Sequence, residues 1–203
     1  MILRSVETIA RVIPPGDRVL VGIAGAPGAG KSTLAADLAR YLPSAVVLPM
    51  DGFHFPPQRL VELGWRDRMG APETFDVDAF TTTLAAVRNS GRMVRAPGFD
   101  RENERPVPAA IAIPPELSTV VVEGNYLLLE SDGWAGVRDL LDVTLFVEID
   151  ETLRRQRLID RHVRHGKTPW AARQWAEGSD ERNAQLVRTS ASRADHIVRL
   201  LRS

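Results

Sequence analysis

Residues 18–42 read RVLVGIAGAPGAGKSTLAADLARYL. The first part, Arg18 to Gly25, is a short apolar run and predicts a buried strand. The last part, Lys31 to Leu42, has helical spacing and stops before Pro43. Between them GAPGAGKS, Gly25 to Ser32, fits G-x-x-x-x-G-K-[ST], with the strand before it and the helix after it that the motif requires. Glycines let backbone N–H groups turn inward around phosphate oxygens, and the helix N-terminus adds a favourable dipole. Gly25, Ala26, Pro27, Gly28, Ala29, Gly30, Lys31, Ser32 and Thr33 are therefore the candidate phosphate loop. Lys31 would reach the β/γ-phosphates and Ser32 would offer its hydroxyl to Mg²⁺; Thr33 is adjacent but is not the primary metal position. The expected ligand is a nucleoside triphosphate, ATP, with Mg²⁺. A ligand-free glycine turn would not need Lys-Ser after its last glycine.

Working outward, strands and helices alternate. Ser44–Met50, Ser118–Gly124, Asp142–Ile149 and a closing ADHIVRLL read as further strands. Helices are expected over DVDAFTTTLAAVRNSG, with Asp76 as N-cap, over DETLRRQRLIDRHVRHG and over TPWAARQWAEGSDERNAQLVRTS. RMVRAPGFDRENERPVPAAIAI reads as short strands joined by a charged loop. Continuous β-branched runs between helices predict a three-layer α/β/α fold on a parallel sheet, here of five strands. One domain over residues 1–203 is expected, with an acceptor-binding region over 52–113.

The 203 residues are 44% apolar, enough for a sizeable core, and 26 basic residues balance 26 acidic ones. That balance offers no nucleic-acid footprint. Without cysteine there is no disulfide framework, thiolate zinc site or thiol nucleophile. The N-terminal stretch carries Glu7 and does not read as a signal peptide. No apolar run approaches a membrane span. The cytoplasm is the default placement, with neither nucleic acid nor membrane as partner. Oligomeric state is not set by the sequence, and a homodimer is compatible with it.

Parallel sheets place ligands at the carboxyl ends of their strands. Asp51, in VVLPMDGFHFPP, and Glu123, in TVVVEG, both fall there, as does the turn after Gly25. A carboxylate ending an apolar strand beside a phosphate loop can hold Mg²⁺ directly or through water, which makes Glu123 the second metal candidate. For Asp51 two readings stand. Asp-Gly is a common turn pair. A kinase also needs a base within hydrogen-bond reach of an acceptor hydroxyl, and Gly52 would let the chain turn and the substrate approach. No N-K-x-D guanine-reading motif occurs, and DRMG at Asp67–Gly70 follows no apolar strand, so a GTPase switch is disfavoured.

Together GAPGAGKST, MDGFH, GAPETFD, VVVEGNYLL and ADHIV resemble the uridine kinase, phosphoribulokinase and bacterial pantothenate kinase group of P-loop kinases. The likeness runs from about Val19 to Val198 and is nearest to the uridine-kinase-like and fructose-transport-system-kinase-like members. It implies that Asp51 activates the acceptor hydroxyl and that Glu123 is the Walker B acid. It also implies that Phe75, Asp76, Phe99, Asp100 and Arg105 line the acceptor pocket. Departures from the group weaken two acceptor assignments. Phe99-Asp100-Arg101 replaces the Tyr-Ser-His of pantothenate kinases, and Gly52 and His54 replace the Ser and Tyr of uridine kinases.

His54 could donate to a substrate hydroxyl or pack on the Pro56–Pro57 turn. Arg66 and Arg68 flank an anion site or are solvated loop charges. Asn183 is a candidate for facing the acceptor or nucleotide pocket. Arg157, Arg161 and Arg164, spaced by four and three, share one helical face. The resemblance makes residues 157–169 a lid, with Arg157 and Arg161 stabilising the transferring phosphoryl group; the alternative is a solvated helix in which Asp160 pairs with Arg164. His162 and His165 read as surface residues, and most of the four tryptophans as packing. The expected activity is ATP-dependent phosphoryl transfer to a hydroxyl of a small metabolite, nucleoside or sugar-like. Its rivals are a pantothenate-kinase-like enzyme and a regulatory P-loop ATPase with no small acceptor.

Overall fold

A computed structural model describes residues 2–89, 91–100, 102–131 and 133–199. In chain order the elements are β1 (Ile2–Leu3), α1 (Val6–Ala10), β2 (Val19–Gly25), α2 (Lys31–Tyr41), β3 (Ala45–Pro49), α3 (Pro57–Glu62) and α4 (Val77–Asn89). The hairpin β4 (Val94–Asp100) and β5 (Arg105–Ile113) follows, then β6 (Thr119–Glu123) and β7 (Val143–Val147). The chain closes with α5 (Glu151–Arg164), α6 (Pro169–Glu177), α7 (Ser179–Thr189) and β8 (His196–Val198).

The main sheet has the order β1-β8-β7-β2-β6-β3, and every pairing in it is parallel. It therefore has six strands among the described residues, not the five expected. The addition is β1, whose Ile2 and Leu3 pair with Ile197 and Val198. Two residues are too short for a periodic pattern, and their partner lies at the other end of the chain. The closing strand ends at Val198; Leu200 and Leu201 lie outside the described residues.

Side-chain alternation along the strands divides the core. Val19, Val21 and Ile23 of β2, Val121 of β6 and Val143, Leu145 and Val147 of β7 pack on one face with Ile9 of α1 and Leu34 and Leu38 of α2. Leu20, Ala24, Val120, Val122 and Phe146 point to the other face, against Phe80, Leu84 and Val87 of α4 and Val187 of α7. This gives the three layers. The helical stretch at 168–190 is broken in two at Gly178. A Cβ there would stand 2.6 Å from the Gln174 carbonyl oxygen, so only glycine permits the close turn.

Asp195, in ADHIV, ties the end of the chain to β7. Its Oδ2 accepts from the Thr144 N–H and Oγ1, each at 2.8 Å, and its carboxylate receives Arg138 at 2.8 and 2.9 Å. Partial burial raises its proton affinity, but the Thr144 hydrogen bonds and the Arg138 guanidinium outweigh this and hold it below the usual aspartate range. A carboxyl lowered in the folded state stabilises above its unfolded pKa and loses that contribution as pH falls through the folded value. Asp195→Asn should cost about 1–3 kcal/mol at pH 7. In urea melts across the acid range the variant should lose less stability between pH 5 and pH 2 than the parent.

Candidate active site

The turn after β2 is built from three glycines with positive φ: Gly25 (+152°), Gly28 (+82°) and Gly30 (+98°). At Gly28 geometry and packing coincide, since a Cβ would meet Leu158 Cγ at 2.8 Å and the Arg154 carbonyl at 3.0 Å. The loop thus lies directly on α5. Gly30 holds the N-cap position of α2 and supplies no side-chain cap, so the first-turn amides remain as donors. Lys31, almost wholly buried, donates from Nζ to the Ala26 carbonyl at 3.1 Å.

These residues line one end of an open cleft of about 1650 Å³ at the carboxyl ends of β2, β3, β6 and β7. Pro27 to Thr33 border it; Gly25 and Ala26 lie behind, turning the chain and accepting from Lys31. Glu123, 5% exposed, accepts from Ser32 Oγ at 2.9 Å. A hydroxyl and a carboxylate in contact are hard oxygen donors of the kind Mg²⁺ takes. Among the described residues no group of three or more His, Asp or Glu side chains forms a metal site. The residues therefore fit an Mg²⁺ carried on nucleotide phosphates better than one held in a protein cage.

Asp51 lies in the 3₁₀ turn Met50–Phe53 that ends β3, half-buried and facing the cleft. The structure gives Gly52 a steric reason beyond the one expected. A Cβ there would stand 2.3 Å from the Pro97 carbonyl oxygen of β4, so glycine lets the hairpin approach the turn. Gly124 plays the same part on the other side, where a Cβ would meet Met50 Cβ at 2.6 Å. His54 closes the turn. Its Nδ1 lies 2.9 Å from the Asp51 carbonyl, which can only accept, so Nδ1 carries the proton. Its ring packs at a tilt against Phe75, with centroids 3.8 Å apart, and against Phe99 at 5.1 Å, both in the cleft wall.

Arg66 and Glu104 meet at 2.9 Å in the cleft wall, and the Arg66 hydrogen bond holds the Glu104 carboxyl below its ordinary value. Asn183 is buried and donates to the Gly70 carbonyl at 3.2 Å. The same carbonyl accepts from Tyr126 at 2.5 Å; burial pushes that phenol far up, so it remains a donor.

Three expected pocket residues stand elsewhere. Asp76 caps α4, accepting from the Ala79 N–H at 2.9 Å. Asp100 folds onto its own hairpin turn through the Glu102 and Asn103 amides and the Asn103 side chain. Arg105 projects outward at 3.9 Å from Asp100. Arg101 lies outside the described residues.

Arg157 and Arg161 line the cleft from α5, with Arg157 Nη1 above Gly30. Among the described residues neither forms an ion pair. Asp160 takes Gln156 instead of Arg164, whose Nε reaches only the Asp160 carbonyl. His162 is not a surface residue. It is mostly buried, pairs with Asp180 at 2.7 Å and lines the cleft with Trp175. Of the tryptophans only Trp134 is core; Trp65 is half-buried and Trp170 is 74% exposed. Sequence reasoning missed Arg154, which is fully buried beneath the phosphate loop. In the sequence it is one arginine among several, and only packing separates it from Arg155 and Arg157.

The sequence profile described as "Phosphoribulokinase / Uridine kinase family" matches residues 20–203. The chain belongs to this family. It is 33% identical over 196 residues to "Uncharacterized protein YggC" of Escherichia coli (strain K12), covering 94% of this chain and 81% of that one. It is 32% identical over 198 residues to "Putative uridine kinase C227.14" of Schizosaccharomyces pombe, covering 91% and 84%. In three dimensions it is similar to the "putative fructose transport system kinase" from Silicibacter sp. TM1040, with a TM-score of 0.84 and 36% identity over 93% of this chain and 94% of that one. The protein is a P-loop kinase of the phosphoribulokinase/uridine kinase family, a phosphotransferase for which family membership implies ATP. Among the described residues, no helix is long and apolar enough to cross a membrane.

The Gly52 contact gives a direct test within this kinase. Gly52→Ala should push the hairpin off the Asp51 turn and destabilise the fold by about 1–3 kcal/mol or more. Thermal melts would measure the loss, and limited proteolysis should show earlier cutting in the 94–113 hairpin.

Proposed function

We propose that the chain transfers the γ-phosphoryl group of ATP to a hydroxyl of a small metabolite. The observation that carries this reading is that Asp51 and His54 share one cleft with the phosphate loop and the Ser32–Glu123 pair. At about 1650 Å³ the cleft exceeds the roughly 300–1,000 Å³ of a typical single-ligand pocket. There is room for a nucleotide and a second small molecule, which suits a kinase better than an ATPase acting on water.

In this reading the loop amides and Lys31 hold the β- and γ-phosphates. Ser32 and Glu123 would hold Mg²⁺, which supplies charge neutralisation on the phosphates when bound. Asp51 takes the proton of the acceptor hydroxyl as its oxygen bonds to the γ-phosphorus, and the bond to the β–γ bridging oxygen breaks to release ADP. Arg157 and Arg161 meet the charge spread over the transferring group, and residues 157–169 act as the lid that excludes water. His54, held by its Nδ1 contact to the Asp51 carbonyl, borders the acceptor beside Asp51. Phe75 and Phe99 give that substrate an apolar wall, and Arg66 and Asn183 border it. The acceptor is nucleoside- or sugar-like, and the protein works without a nucleic-acid or membrane partner.

ADP release from Mg-ATP, measured across uridine, cytidine, pantothenate, fructose, other sugars and sugar phosphates, tests this. One acceptor class should stimulate release strongly. Asp51→Asn should lower that stimulated rate by roughly 10²–10⁴-fold and leave the KM for Mg-ATP nearly unchanged. Full transfer activity in the variant would remove Asp51 from the mechanism. Slow ATP loss indifferent to every acceptor and to the substitution would point to the regulatory ATPase.

A further inference from the structure

Arg154, in the first turn of α5, has no exposed side-chain surface, yet it is a charged side chain. A buried guanidinium is tolerated only when its donors are met and its charge is balanced. Here Nε donates to Glu151 Oε2 at 2.9 Å and Nη2 to Glu181 Oε2. Nη1 donates to the Pro27 carbonyl at 3.3 Å. The first two contacts balance the charge. The third lies inside the phosphate loop.

That third contact has a geometric consequence. In a trans peptide the carbonyl of one residue and the N–H of the next point in opposite directions. Among the described residues there is no cis peptide. Fixing the Pro27 carbonyl toward Arg154, behind the loop, turns the Gly28 N–H the other way, to the cleft side. Among the described residues that N–H donates to no protein acceptor. Gly28 has φ +82°, and glycine crosses between backbone regions at little cost. Without an anchor the Pro27–Gly28 peptide could rotate and present a carbonyl to the phosphates.

We infer that Arg154 is a positioning residue that aims the Gly28 amide at the nucleotide phosphates, and that Glu181 of α7 holds Arg154 in place. This rests on the reading of Gly25–Ser32 as the nucleotide phosphate site. The network reaches beyond the pair. Glu181 also receives Arg188 at 2.9 Å and Arg155 at 3.5 Å, and Arg188 meets Glu151 at 3.0 Å. Burial raises the Glu181 carboxyl, but Arg188 and Arg154 outweigh this and keep it ionised. The last long helix of the chain is thus linked through two side chains to the peptide that faces the phosphates.

The test separates positioning from folding. Replacing a buried ion pair by apolar residues of similar volume is often neutral or stabilising. The double variant Arg154→Met/Glu181→Met therefore keeps the packing and removes the anchor, and Arg154→Lys keeps the charge but loses the planar fork. MgADP binding is measured by titration calorimetry without acceptor, beside thermal melts and KM values for both substrates. The expected result is a double variant that melts near the parent temperature and binds MgADP roughly tenfold more weakly, about the worth of one phosphate-facing hydrogen bond. KM for Mg-ATP should rise in step and the acceptor KM should hold, with Arg154→Lys in between. A stable double variant with parental MgADP affinity overturns the inference. If the double variant does not fold, Arg154→Lys decides: weaker MgADP binding at parental melting temperature supports it, and unchanged binding overturns it. Melting temperature and affinity falling together in both variants would make Arg154 purely structural and overturn it too. A parent protein that binds no MgADP would fail the phosphate-site reading itself, and the inference with it.

Discussion

Backbone amides that serve an anion cannot also be satisfied by the protein. Apart from Ala29, whose N–H donates to the Ala26 carbonyl, the loop before α2 and the uncapped first turn of α2 offer N–H groups to the cleft. Much of the architecture follows from holding that unsatisfied segment still. β2 delivers it from the middle of the sheet, between β6 and β7. α5 supports it from behind, where Leu158 and the Arg154 carbonyl would touch any Cβ placed on Gly28. A loop that relaxed to satisfy its own donors would be more stable alone and would not hold phosphate.

The same arrangement sets the charges. Glu123 sits in register with Ile23 of β2 and Pro49 of β3, one strand away from each. The Glu123 carboxylate and the Asp51 turn are therefore neighbours in space although far apart in the chain. Cations approach from the opposite side on α5, as Arg157 and Arg161. Carboxylates on the sheet side thus face the arginines of α5 across the cleft. Two glycines make this closeness sterically permissible: Gly124 against Met50, and Gly52 against Pro97.

Residues expected in the pocket but found elsewhere share a physical cause. Asp76 serves the first amides of α4 as the N-cap its sequence position predicted, and not the cleft. Asp100 begins a tight hairpin turn and binds the amides next to it. Both are short polar side chains for which local backbone donors outcompete a distant pocket. His162 went the other way. Its own helix pattern places it at the surface, but Asp180 from α7 and the Trp175 ring from α6 cover it. Trp134, Trp65, Trp170 and Trp175 differ in burial for reasons that lie in their neighbours and not in tryptophan itself.

The amino-acid sequence alone determined the fold class, the phosphate loop and the strand-end positions of Asp51 and Glu123. Each depends on local information: a glycine pattern between a strand and a helix, or a carboxylate after an apolar run. Only the tertiary structure decided that the sheet has a sixth strand, because β1 is defined by a partner almost two hundred residues away. It also decided why Gly52 is glycine, where His162 points, and which of the arginines along α5 lies beneath the loop and which above it. A helix shows its periodicity in sequence but not what each face will meet. Arg154 and Arg157 are three residues apart on one helix, and the packing of α7 and the phosphate loop against it gives them opposite surroundings.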